Sequence, residues 1–211
     1  MSDTLRDRSR APRPARFSRL QRSLHWLMAV AVIAMLFIGV GMVSTVSPAY
    51  VPLLTTHRTL GIAILVLAVL RLAVRAARGT PPLPVDLPRP MKIAAKLSHV
   101  ALYGLMIMMP LIGWAMVSSA GNPVLLLGGV QLPPILPANG AMHAALWKAH
   151  AALAFCFFAL ILLHLAAGLF HGLLRRDGVF ESMAPVSSER RREAPVMSES
   201  ATRSRRSDDS A

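Results

Sequence analysis

Four of the seven histidines in this chain, His25, His57, His150 and His164, lie in or at the edge of segments apolar enough to cross a membrane. An ionisable ring in hydrocarbon costs several kcal/mol unless something pairs with it. A lone membrane histidine commonly bonds between helices; four at matching depths point to ligands. His150 and His164 are 14 residues apart, which on a helix is about 21 Å of rise with an azimuthal slip of about 40°. Both rings therefore face one interior seam at opposite depths. With the segments alternating in direction, His150 is level with His57 and His164 with His25. Two stacked cross-bundle pairs result, the arrangement that a haem with two imidazole ligands needs. Four positions after each of these histidines stands a small residue, Ala29, Gly61, Ala154 or Gly168, which leaves room for a flat macrocycle.

Other chemistries fit less well. Zinc wants ligands converging on one point, with cysteine or acid among them. Cys156 stands alone, so a disulfide, a CxxCH attachment and an iron–sulfur site are excluded, and a haem here is held without covalent bonds. No acid lies between Asp7 and Asp86 or between Asp86 and Asp177. A proton or cation transporter would carry a carboxylate near mid-membrane. His143 and His171 share the heptad phase of His150 and His164, so spacing by itself does not exclude them. His143 is expected in an outer cap. His171, at a helix end, is expected to meet a haem propionate, a quinone or water, and His99 has similar prospects. The twelve methionines read as packing, with one able to serve as a ligand where a histidine does not.

The elements that must position these rings are membrane helices. The 211 residues are 54% hydrophobic, with a mean hydropathy of +0.50, which excludes an ordinary soluble domain. Four runs reach or approach the roughly 20 residues that a span takes: Leu24 to Val43, Thr59 to Val74, Val100 to Val117 and Ala149 to Phe170. In the second, Arg71 and Arg75 are expected to snorkel to the headgroups. The first run is too long, and its basic lead too extended, for a cleaved signal peptide, so it is expected to be retained. Seven arginines precede it, Arg78, Arg89, Lys92 and Lys96 fill the second link, and eight arginines follow the fourth run. The other two links hold only Arg58 and Lys148. The positive-inside rule then predicts an all-α, up-down-up-down four-helix bundle with both termini in the cytoplasm. The net charge of +13 is topological on this reading, and no nucleic-acid partner is expected.

Three regions follow: a basic lead over 1–23, the helical unit over 24–175, and a polar tail over 176–211 whose Ser/Arg/Glu composition predicts disorder. The link from Arg78 to Pro90 carries five prolines and is expected to be extended. The link from Ala120 to Leu146 is apolar yet broken by glycine and proline, which suggests a folded cap on the outer membrane face.

These residues resemble the bacterial cytochrome b561 family of small di-haem membrane cytochromes. The resemblance rests on Arg19-Leu20-Gln21, His25-Trp26, His57 with Gly61, the run from Leu65 to Arg71, His99 with Tyr103, Pro110 and Gly113. It continues through Gly121-Asn122-Pro123, Trp147 near His150, and His164-Leu165-Ala166-Ala167, covering about residues 17–175 in order. It implies two b haems with His25, His57, His150 and His164 as axial ligands, and electron exchange with ubiquinone or another quinone. Some members are described as superoxide:ubiquinone oxidoreductases, and related cytochrome b subunits serve hydrogenases and formate dehydrogenases. The long tail departs from the family pattern.

The sequence thus reads as a multi-pass protein of the inner membrane that moves electrons through two b haems, between an outer-face donor such as superoxide and the quinone pool. The expected pairs are His25 with His164 at the inner end and His57 with His150 at the outer end. Arg58, Lys148, His99, His171 and Arg71 are secondary candidates. One alternative is a membrane-anchor subunit for a partner dehydrogenase or hydrogenase. Another, of a different class, is a haem-binding sensor or carrier.

Overall fold

The structure is a computed structural model that describes residues 16–44, 47–82, 84 and 86–184. Residues 1–15 of the basic lead and 185–211 of the tail lie outside the described residues. Four long helices follow one another: α1 (Arg19–Ser44), α2 (Tyr50–Arg78), α3 (Arg89–Ser119) and α4 (Gly140–Leu169). Each is long and apolar enough to cross a membrane. Close packing runs α1–α2, α2–α3 and α3–α4; α1 with α4 is not among the closely packed pairs. α1 and α4 approach each other at the buried centre and through their histidine rings. The end with the start of α1, the α2–α3 link and the close of α4 is termed inner, following the charge asymmetry, and the opposite end outer.

The helices overrun the apolar runs because a helix passes through the headgroup layer before it can end. The first span starts at Arg19, where Ser18 and Gln21 form a reciprocal cap: Gln21 N–H donates to Ser18 Oγ at 3.3 Å and Ser18 N–H to Gln21 Oε1 at 3.0 Å. α4 starts at Gly140 rather than Ala149, since Asn139 Oδ1 accepts from Met142 N–H at 3.0 Å and sets the N-terminus. This puts His143 in the first turn of α4, not in the cap as its position beyond the apolar run had suggested.

Between α3 and α4 a short hairpin, β1 (Val124–Leu125) with β2 (Gln131–Leu132), turns on Gly128 and Gly129, both at positive φ. It is tied down at three places. Leu127 N–H donates to Thr59 Oγ1 at 2.9 Å, Trp114 Nε1–H to Pro133 O at 2.9 Å, and Ile135 N–H to Ser118 Oγ at 3.1 Å. The outer link is therefore a folded cap held to α2 and α3.

Outward faces carry large apolar residues, among them Phe37, Val43, Phe155 and Leu174, all exposed, as helices facing lipid require. The buried centre is small. Val32, Ile64 and Phe157 form it, packed by Met35, Leu60, Leu102, Leu105, Met106, Met109 and Ile161. Each of the three stands seven residues from a histidine of interest: Val32 from His25, Ile64 from His57, and Phe157 from both His150 and His164. Two helical turns of separation put this apolar plug between the histidine pairs.

The tail begins as ordered structure rather than disorder. α4 closes in a π-helical turn, Phe170–Arg175, followed by Arg176 in the left-handed region at φ 50 and a short helix α5 (Val179–Met183). α5 clasps the start of α1. Trp26 Nε1–H donates to Met183 O at 2.8 Å, Arg22 to Ala184 O at 3.1 Å and Arg16 to Glu181 O at 3.2 Å. Phe180 lies so close to Gly172 that a Cβ there would stand 2.9 Å from its ring, so only glycine admits the clasp. Asp177 anchors the turn. Burial pushes its carboxyl up, but hydrogen bonds from His171 and the Val179 N–H, with Arg175 beside it, hold it below the ordinary carboxylate range. That contribution is present above the ordinary pKa and is lost as pH falls through the lowered one.

Candidate functional site

The structure brings the four singled-out histidines together as two pairs. His25 on α1 and His164 on α4 have ring centres 6.4 Å apart, and His57 on α2 and His150 on α4 have theirs 6.3 Å apart. A metal–imidazole bond is about 2.0 Å and the ring centre lies about 1.1 Å further, so two imidazoles on one metal sit about 6.2 Å apart. Both pairs have that separation. The ring planes are inclined at 73° and 65°; planes that share a metal axis are free to rotate about it. Gly113 lies against the outer pair, its Cβ position 3.5 Å from His150 Cε1. Buried Nδ1 atoms of His57 and His150 have no hydrogen-bond partner. The donor set, imidazoles only in a largely apolar seam, fits b haem.

The inner pair has a richer setting than its partner. Arg71 Nε–H donates to Tyr103 Oη at 2.9 Å, and Arg71 Nη1 lies 2.7 Å from His25 Nδ1. Arg75 stands 5.9 Å from the Tyr103 ring centre, as does Arg71. Neither arginine follows the expected snorkelling path, since the phenol and imidazole offer hydrogen bonds and a π face inside the bundle. A guanidinium only donates, so His25 Nδ1 accepts and Nε2 carries the ring proton.

His99 joins this cluster, its ring 5.5 Å from that of His164. Its Nδ1–H donates to Ala95 O at 2.6 Å, which leaves Nε2 as an acceptor. Tyr103, one helical turn on, lies on the same face. That i, i+4 spacing was the available signal for a shared role of the two residues.

The remaining candidates separate from the pairs. His143 Nδ1–H donates to Met116 O at 2.9 Å and so ties α4 to α3. His171, expected near a propionate, a quinone or water, pairs with Asp177 at 2.7 Å. The heptad ambiguity is thus resolved: 150 and 164 face partner histidines, and 143 and 171 do not. At the outer end Arg58 follows His57 and keeps a buried Nε without a hydrogen bond, and Lys148 is exposed two residues before His150. Thr59, a residue the sequence reading passed over, both donates to Thr55 O and accepts from the cap. It fixes the cap beside His57.

Comparison with known proteins places these observations. The family profile for prokaryotic cytochrome b561 matches residues 16–185. The chain is 30% identical over 172 residues to cytochrome b561 homolog 1 of Escherichia coli K12, which covers 81% of this chain and 97% of that relative. Cytochrome b561 homolog 2 of the same organism is 28% identical over 178 residues, 83% of this chain and 94% of the relative. A probable superoxide oxidase CybB of Yersinia pestis is 31% identical over 172 residues, 81% of this chain and 96% of the relative.

Proposed function

This chain belongs to the prokaryotic cytochrome b561 family, a multi-pass electron-transfer protein of the inner membrane, and we propose that it passes electrons from superoxide at its outer face to a quinone. On this reading His57 and His150 hold an outer b haem and His25 and His164 an inner one, with both termini in the cytoplasm. What carries the reading is the geometry: two opposed imidazole pairs, 6.3 Å and 6.4 Å between ring centres, at opposite ends of one apolar seam. Each bound haem supplies a reversible one-electron iron couple. The overall change balances when two superoxide ions each lose one electron and leave as dioxygen, while one quinone takes both electrons and two protons.

The chain's own residues do the rest. The Val32, Ile64 and Phe157 plug keeps water out of the path between the pairs. Arg71, beside His25, would offer its charge to haem carboxylates at the inner end. His99, with a free Nε2 acceptor beside His164, is placed to hold or hand over a proton on the quinone side. Purified protein is expected to carry two b haems per chain, both low-spin and fully extracted by acidified acetone. A pyridine haemochrome value near one per chain would overturn that stoichiometry. Anaerobic titration with quinol and with superoxide, followed in the haem bands, tests the two partners. Reduction by neither would remove the proposed reaction.

Arg58 and Lys148 form a positive mouth at the outer pair, where they raise the local concentration of an anionic reactant. The double change Arg58→Gln with Lys148→Gln is expected to slow haem reduction by superoxide about tenfold at low ionic strength. The difference should fade as the Debye length falls from about 10 Å at 0.1 M salt to about 3 Å at 1 M. Reduction by quinol should stay unchanged. Stopped-flow rates equal to those of the parent at every salt concentration would leave both cations as interface anchors.

A further inference from the structure

At the inner membrane face, away from both histidine pairs, the start of α1 and the end of α2 border an open cavity of about 430 Å³ lined by Arg16, Ser18, Gln21, Arg78, Gly79, Thr80 and Pro81. Its floor is rigid. Gln21, only 7% exposed, accepts from Ser18 N–H and donates through Nε2 to Gly79 O at 2.9 Å, which ties the two helices together. Gly79 at φ 67 ends α2 and turns the chain past the opening. Because Ser18 and Gln21 already cap α1, the cavity owes its character to its side chains rather than to the helix end.

Those side chains are cationic. Two guanidinium groups and two hydroxyls line the wall, with no carboxylate among them. Arg16 spends one N–H on Glu181 O, and Arg78 forms no hydrogen bond or ion pair among the described residues. Of the nearby acids, Asp86 and Asp177 both pair with Arg175, and Glu181, whose carbonyl accepts from Arg16, has a buried Oε2 without a hydrogen-bond partner. Guanidinium groups match the oxygen geometry of phosphate, and basic pockets between membrane helices on this side bind anionic headgroups. The same two helices expose Leu20, Leu27 and Leu72, apolar surface that acyl chains would cover.

We propose that this cavity binds the phosphodiester of an anionic phospholipid, with Arg16 and Arg78 clamping its oxygens and Ser18 and Thr80 donating from their hydroxyls. The site holds a lipid between the first two helices and is independent of the electron-transfer reading. Native mass spectrometry of the full-length protein, released from nanodiscs of mixed phosphatidylglycerol and phosphatidylcholine, tests it. The parent is expected to retain one phosphatidylglycerol, and Arg16→Gln with Arg78→Gln to lower its occupancy about tenfold. Arg16→Lys with Arg78→Lys should retain an intermediate amount, since charge persists without the planar fork, and it guards against a fold defect in the first variant. Arg19→Gln with Arg89→Gln removes equal charge from the same face and should leave retention at the parent level. Equal loss in that control pair, or no preference for phosphatidylglycerol in the parent, would overturn the site. Displacement of the bound lipid by millimolar inorganic phosphate would overturn the lipid as occupant and assign the clamp to free phosphate.

Discussion

Replacing His164 by alanine is expected to remove half of the bound haem while the other half keeps its low-spin spectrum. His164 faces His25 across 6.4 Å, and nothing else in the chain can offer an imidazole along that axis except His99, whose ring lies 5.5 Å from that of His164. His25→Ala should remove the same inner haem, and His57→Ala or His150→Ala the outer one. Each change deletes one of two iron bonds, so the affected haem is lost or becomes five-coordinate and high-spin. The effect should be confined to one end, because the plug of Val32, Ile64 and Phe157 separates the pairs. Haem content and spin state of the four purified variants measure this. If His171→Ala abolished a haem and His164→Ala did not, the pairing derived from the structure would be wrong.

Arg71→Met is expected to weaken retention of the inner haem about 10- to 100-fold, the size of one charge-assisted hydrogen bond of about 1.5–3 kcal/mol, and to leave the outer haem untouched. No carboxylate of the described residues pairs with Arg71; its partners are Tyr103 and His25. A half-buried guanidinium without a counter-charge carries a desolvation cost, and haem carboxylates are the anions that the proposed occupant brings. Arg71→Lys keeps the charge and should keep much of the affinity. Haem release to apomyoglobin, followed for both variants, separates the two ends by their band positions. Parent-like release from Arg71→Met would show that Arg71 serves only to orient Tyr103 and His25.

Much of this was legible because the physics involved is one-dimensional. The apolar runs and the arginine distribution predict four spans in alternating order, since a bilayer imposes one length and one charge asymmetry on every segment. The 14-residue spacing of His150 and His164 fixes their common face through helix geometry alone. Levelling His57 with His150 and His25 with His164 needed only the alternation of direction.

What the sequence left open depended on which neighbours a side chain finds. His143 and His171 have the same helical phase as the paired histidines; Met116 O and Asp177 claim them instead. Arg71 and Arg75 read as snorkelling cations until Tyr103, 32 residues beyond Arg71, supplies an inward hydrogen bond and a π face. The polar composition after Arg175 predicts disorder, yet 176–184 fold because Gly172 admits Phe180 and the backbone carbonyls of α5 meet Arg16, Arg22 and Trp26. Periodicity and charge determine which face of a helix is polar and which end lies inward. Only the packed bundle decides which partner, among several of equal phase and depth, comes within the roughly 3 Å that a hydrogen bond requires.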